Sequence, residues 1–217
     1  MTAALYDRDI REPLFLFLEE KYGKVRFLEE KITGSARADA VMVTEDALYG
    51  IEIKSDQDTY TRLPGQIRAY DEYYDYNYAV VGLSHVKHIE EHLPPWWGII
   101  TAERDGEALD FYILRRPRRN PGQKIGKKVS LLWRPEMEHI LERARLPMLR
   151  SLSKARLTER LPEMLDRGVL DRMISDELFE RDYTLIAQQI SDWKKAAGIA
   201  PRKKRRRRIR TAKRAPG

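Results

Sequence analysis

The sequence predicts an α/β protein, with a mixed central sheet flanked by helices and a small all-α region after it. Three observations carry this. The apolar period in the first half changes from helical spacing to alternation and back. The resulting order over residues 1–118 is helix, three strands, helix, strand, helix, two strands, which suits helices layered on one sheet. Beyond residue 128 the spacing stays helical to about 197. The expected division is therefore 1–128, 129–198 and a tail over 199–217.

Residues 7–22, "DRDIREPLFLFLEEKY", place Ile10, Leu14, Phe17 and Leu18 on one helical face. Pro13 fits only the first turn of a helix, so this helix is expected to start near Arg11 or Glu12. "KVRFLEEKI", "ARADAVMV" and "ALYGIEIKS" read as three strands. Residues 59–74 read as a helix, and "YNYAVVGL" as a buried strand. "SHVKHIEEHL" reads as a helix capped by Ser84, and "WWGIITAER" and "LDFYILRRP" as strands around a turn at Asp105-Gly106. The basic, Pro- and Gly-bearing segment 115–128 reads as a linker or loop.

Composition narrows the function. The chain has 217 residues and no cysteine, which removes disulfides, thiolate metal sites and cysteine nucleophiles. No apolar run nears the ~18 residues that span a bilayer, and the N-terminus lacks a signal peptide's basic start, so an intracellular (cytoplasmic) protein without membrane contact is expected. The net charge is +7, and ten Lys or Arg lie in residues 201–217, "PRKKRRRRIRTAKRAPG". Without those ten, residues 1–200 carry −3. Such a tail is a strong phosphate ligand, and Arg202, Lys203, Lys204, Arg205, Arg206, Arg207 and Arg208 are expected to contact nucleic acid, DNA first and RNA not excluded.

The chemistry centres on "LYGIEIKSDQDTYTRLPGQIRAYDEYYD". A hairpin with Glu45-Asp46 as its loop pairs residues whose numbers sum to 91. Asp39 then falls opposite Glu52, about 5 Å apart at Cβ, where like charges destabilise. A divalent cation supplies a reason for two such carboxylates, since Mg²⁺ takes hard oxygen ligands from carboxylates, water and phosphate. Lys54, two residues from Glu52, projects from the same face. Gln66 and Tyr70 lie four apart on one face of the following helix.

Asp39 followed by Glu52-Ile53-Lys54 resembles the bipartite active site of the PD-(D/E)XK superfamily, the restriction-endonuclease-like nucleases. Gln66-Ile67-Arg68-Ala69-Tyr70 resembles the Q-x-x-x-Y element of its RecB-like branch. With "PPWWGII", the pattern over about 7–135 is similar to a small bacterial and phage family of that superfamily. Ala38, rather than Pro, precedes Asp39. The resemblance implies Mg²⁺- or Mn²⁺-dependent phosphodiester cleavage on a restriction-endonuclease-like core. Asp39, Glu52 and the Ile53 carbonyl would hold the metal, with Glu12 completing the shell and Glu19 and Glu20 as rivals for that place. Lys54 would position water or stabilise charge, and Gln66 and Tyr70 would order the site.

In the second half, "SLSKARLTERL" after an extended link resembles a SAP-type helix-extension-helix module. That likeness implies DNA contacts from Arg150, Lys154 and Arg156. The alternative is a small helical bundle that covers the sheet or mediates a homodimer or other protein contact. His85, His88 and His92 share a helical face but read as solvated or capping. "GQKIGKK" is not a phosphate loop, because Lys128 stands where Ser or Thr should be.

Overall fold

The computed structural model describes residues 5–56, 58–106, 108–182 and 188. The chain is a mixed α/β protein built on a six-stranded sheet. The strands are β1 (Arg26–Thr33), β2 (Ala36–Val43), β3 (Leu48–Lys54), β4 (Tyr76–Gly82), β5 (Gly98–Asp105) and β6 (Ala108–Arg115), and they lie side by side in that order. β1, β2 and β3 are antiparallel, β3, β4 and β5 parallel, and β6 returns antiparallel on β5.

Alternation fixes which residues point where. One face carries Ala40, Met42, Ile51, Ile53 and Val80, packed against Ile10, Leu14 and Leu18 of helix α1 (Asp7–Tyr22). The opposite face carries Val41, Val43, Leu48 and Val81. It is covered by α2 (Leu63–Tyr73, entered through a 3₁₀ turn at Tyr60–Arg62), by α3 (Leu83–His92) and by the C-terminal helices. Those are α4 (Ile125–Ser130), α5 (Arg134–Arg143), α6 (Lys154–Met164) and α7 (Arg167–Phe179).

Three expectations are corrected here. α1 starts at Asp7 and carries Pro13 inside it. The turn before Pro13 is held by other means: Leu5 exchanges hydrogen bonds with Asp56, Asp9 accepts from the Tyr6 N–H, and Ile10 is fully buried. Tertiary anchoring outweighs the lost helical bond. Ser84 does not cap α3, which begins at Leu83 from Gly82, and its hydroxyl instead bonds Asp56. Segment 115–128 runs as a loop over 116–124, as one of its two readings had it, and then enters α4, but it does not link two separate bodies. The Lys128 ammonium is buried between Asp75 (2.6 Å) and Asp171 (2.7 Å). The segment's composition resembles a linker because its order comes from distant acids rather than from local propensity.

The sheet and helices α4–α7 share one apolar core, so the chain does not divide at 128. Residues 1–181 form one unit and 182–217 another. The helices expected over 183–197 and the basic residues Arg202 to Arg208 lie outside the described residues. Among the described residues no helix is long and apolar enough to cross a membrane.

Candidate active site

β2 and β3 pair as the hairpin register requires, from Val43↔Leu48 to Ala40↔Ile51, around a turn closed by Thr44 and Ala47. The ladder stops there, one step short of Asp39 and Glu52. The face alternation also breaks at this point, because Ala38 and Val41, three apart, both pack on the helix-covered side. The β1–β2 ladder skips the Glu30–Asp39 pair, and Glu30 has a φ of 51°. The register resumes unchanged at Lys31↔Ala38, so this is a local break in the ladder with no inserted residue: one residue of each strand is left unpaired and the side chains beyond it change face. The strands part, and a cleft of about 610 Å³ opens between β2, β3 and the start of α2.

Asp39 fills the place of the lost ladder bond. Its Oδ2 accepts from the Ile53 N–H at 2.8 Å. Its main-chain oxygen accepts from Arg11 at 3.2 Å, and its Oδ1 lies 3.7 Å from that guanidinium. Burial and the charge of Glu52 push the Asp39 carboxyl up to about 7, with Asp7 adding to the rise and the Ile53 N–H and Arg11 opposing it.

Glu52 and Lys54 sit on the helix-covered face of β3, both almost fully buried. Lys54 Nζ donates to Glu52 Oε1 at 2.8 Å and to Gln66 Oε1 at 3.0 Å. The Gln66 amide also donates to Glu52 Oε1, and the Tyr70 hydroxyl donates to Glu52 Oε2 at 2.6 Å. Tyr70 is held far above its ordinary phenol range by burial and by the charges of Glu52 and Asp39, so it is a donor throughout the working pH range. The spacing of Gln66 and Tyr70 on α2 thus brings both onto one carboxylate. Gly50 makes that approach feasible. A Cβ there would stand 2.9 Å from the Tyr70 ring and closer still to Tyr74.

Six of the expected site residues meet in one place: Asp39, Glu52, Ile53, Lys54, Gln66 and Tyr70. Glu12 does not join them. It is exposed, as are Glu19 and Glu20 towards the other end of α1. Because α1 starts early, the positions it turns towards Asp39 and the cleft are Asp7, which lines the cleft, and Arg11, one turn on, which reaches Asp39; Glu12 is rotated about 100° away from Arg11. Asp7 lines the cleft, and its Oδ1 is buried without a hydrogen-bond partner. Arg11 is ringed by Asp7 (2.9 Å), Glu30 (2.8 Å) and Glu29 (3.2 Å). The i, i+4 pair Asp7–Arg11 was the sequence signal for this face, and Pro13 obscured it by arguing against a helix there.

The remaining candidates are scattered. Arg150 is exposed, with its carbonyl bonded by Arg134. Lys154 Nζ donates to the Ser130 carbonyl, and Arg156 pairs with Glu159. The predicted helix-extension-helix shape is present in α5 and α6, with Ser153 capping α6. His85 holds the Ser55 carbonyl and the Tyr60 hydroxyl, while His88 is exposed beside Glu91. Trp96 and Trp97 both donate to Asp71 and are structural.

Among the described residues no group of three His, Asp or Glu side chains is placed to hold a metal. The donors present still fit a hard cation. Asp39 and Glu52 both line the cleft and interact by charge, Asp7 lines it too and has one buried oxygen without a partner, and Mg²⁺ commonly keeps water and substrate phosphate in its shell rather than an all-protein cage.

These features define a mixed α/β protein with two carboxylates, a lysine and a supporting Gln–Tyr helix around one cleft. The family model of bacteriophage P4 protein cII matches the chain over residues 6–195, and the chain belongs to that family. No curated protein and no solved structure matches it.

Proposed function

We propose that the protein is a metal-dependent nuclease that hydrolyses phosphodiester bonds of nucleic acid, DNA in the first place, on a restriction-endonuclease-like core. The observation that carries this is the convergence of Asp39, Glu52, Lys54 and Gln66 on one cleft, from two strands and a helix, with Tyr70 buried behind Glu52 and bonded to it. Asp39, Glu52 and the Ile53 carbonyl would hold Mg²⁺ or Mn²⁺. Bound there, the ion supplies Lewis-acid polarisation of a phosphoryl oxygen and a more acidic water. Lys54 supplies a fixed positive charge beside the position of the scissile phosphate, where it stabilises the charge that develops on oxygen. Gln66 and Tyr70 hold and aim Glu52 by donating to both of its oxygens. The Ile53 N–H does the same for Asp39.

One feature favours a second reading, a nucleic-acid-binding protein that keeps the fold without cleavage. Both Glu52 oxygens are already satisfied by protein donors. Plasmid, linear duplex and single-stranded DNA incubated with Mg²⁺, Mn²⁺ or EDTA separate the two. Cleavage in both metals, absent in EDTA and reduced at least a hundredfold in Lys54→Met and Glu52→Gln, is expected. Cleavage that persists in both variants sinks the site assignment, and salt-sensitive binding without cleavage by wild type supports the second reading.

A further inference from the structure

Four cations line the cleft: Arg37 from β2, Lys54 from β3, Arg62 from the 3₁₀ turn and Arg68 from α2. They divide by depth. Lys54 is almost fully buried beside Glu52, whereas the three arginines are exposed. They also divide by partner. Lys54 is engaged by Glu52 and Gln66, and Arg37 by Glu30. Arg62 has only a loose contact, 4.0 Å from Asp58 Oδ1, and the other oxygen of Asp58 is committed to the Ser55 N–H and hydroxyl. Arg68 forms no ion pair and no side-chain hydrogen bond among the described residues.

Helix geometry places these two guanidinium groups at the cleft mouth. Arg62 is the last residue before α2. Arg68 lies one turn and more into the helix, and helical side chains lean towards the N-terminus. A Cβ added at Gly65 would stand 3.9 Å from Arg68 Nη2, so the guanidinium reaches back over the first turn of α2, where residue 65 has no side chain to block it. Pro64 and Gly65 of that turn line the cleft as well, which puts the positive end of the helix dipole on the same wall. Gln66, in the same stretch, turns inward to Glu52 and Lys54. The start of α2 therefore gives its amide to the buried carboxylate and its two uncommitted arginines to the opening.

A planar guanidinium fork matches the oxygens of a phosphate, and two such forks on one wall suit a ligand with repeated phosphates. We infer that Arg62 and Arg68 bind the backbone phosphates that flank the one in the cleft, so that the nucleic-acid interface runs along the start of α2. This is a different surface from the one expected at Arg150, Lys154 and Arg156, where Lys154 bonds the Ser130 carbonyl and Arg156 pairs with Glu159. Contacts of this kind position a strand without reading its bases. Among the described residues no aromatic ring lines the cleft, so the grip is on the backbone rather than by base stacking. The inference takes its substrate class from the proposed function, but it concerns binding and not cleavage.

The test is fluorescence anisotropy of a labelled DNA duplex of about 30 base pairs with the full chain in EDTA, titrated across salt. Arg62→Gln and Arg68→Gln are compared with Arg160→Gln and Arg172→Gln, which remove exposed arginines from α6 and α7. The basic residues of 201–217 are the same in every variant, so their contribution cancels from the comparison. Each cleft variant is expected to weaken binding about five- to tenfold near 0.1 M salt and to reduce the salt slope by about 0.9, while the α6 and α7 variants stay close to wild type. Equal losses in all four variants, or none in the cleft variants, overturn the inference. Arg68→Lys keeps the charge without the fork. It is expected to hold the wild-type salt slope and to recover part of the affinity. A slope as low as that of Arg68→Gln overturns a direct phosphate contact. These losses in a wild-type background that never cuts DNA in Mg²⁺ or Mn²⁺ would support the interface and count against the nuclease reading alone. Metal-dependent cutting, with binding and KM unchanged in both cleft variants, would overturn the interface and leave the nuclease reading in place.

Discussion

Asp39 is where the demands of folding and of the site diverge most. Its carboxyl is raised from 3.8 to about 7 by burial and by Glu52. Between those values the folded chain retains a proton that the unfolded chain has released, so the metal-free protein loses stability as pH rises from about 4 to about 7 and levels off above. The loss is on the order of 3 kcal/mol from that interval, partly relieved by residual solvent contact. Asp39→Asn keeps an oxygen for the Ile53 N–H and removes the charge. It is expected to melt several degrees above wild type at pH 8 in EDTA and to match it near pH 4. Adding Mg²⁺ at pH 8 should raise the wild-type melting temperature by mass action and leave the variant unmoved. A variant less stable than wild type at pH 8 would show that Asp39 is not strained by its neighbours. In the sequence, Asp39 was identifiable from the hairpin register, but its pairing with the Ile53 N–H was not, because that depends on the ladder ending one residue early.

At the level of elements, strand pairing was the most legible part of the chain. β2 runs over the predicted residues 36–43, and the β2–β3 register is the predicted one, because alternating apolar residues around a short turn leave few other ways to bury one face. The site followed from it, since the same alternation puts Glu52 and Lys54 together, and helical spacing puts Gln66 and Tyr70 over them. What stayed illegible was order imposed from a distance, as in the early start of α1 and in α4. The packing of α2 on β3 is equally sensitive. Gly50→Ala is expected to displace Tyr70 and Tyr74, lower the melting temperature by about 5–10 °C and reduce cleavage at least tenfold, because overpacking costs about 1–3 kcal/mol. Wild-type melting and cleavage in this variant would mean that Tyr70 has room to move without consequence for Glu52.

For the unit over residues 1–181, the question is whether sheet and C-terminal helices behave as one body. The sequence suggested a boundary at 128, where the structure instead buries an ammonium between Asp75, just before β4, and Asp171 on α7. Arg119 and Arg167 also pair with Asp171, so the former linker, the sheet and the last described helix meet in one ionic cluster. Removing the central cation leaves Asp75 and Asp171 with only the more exposed Arg119 and Arg167 as counter-charges, and breaking a buried pair typically costs about 3–5 kcal/mol. Lys128→Met is therefore expected to lower the calorimetric melting temperature by about 10 °C while keeping a single transition, because the apolar core from Leu48 through Ile174 is continuous across the cluster. Two resolved transitions, with the sheet melting apart from α5–α7, would restore the boundary at 128.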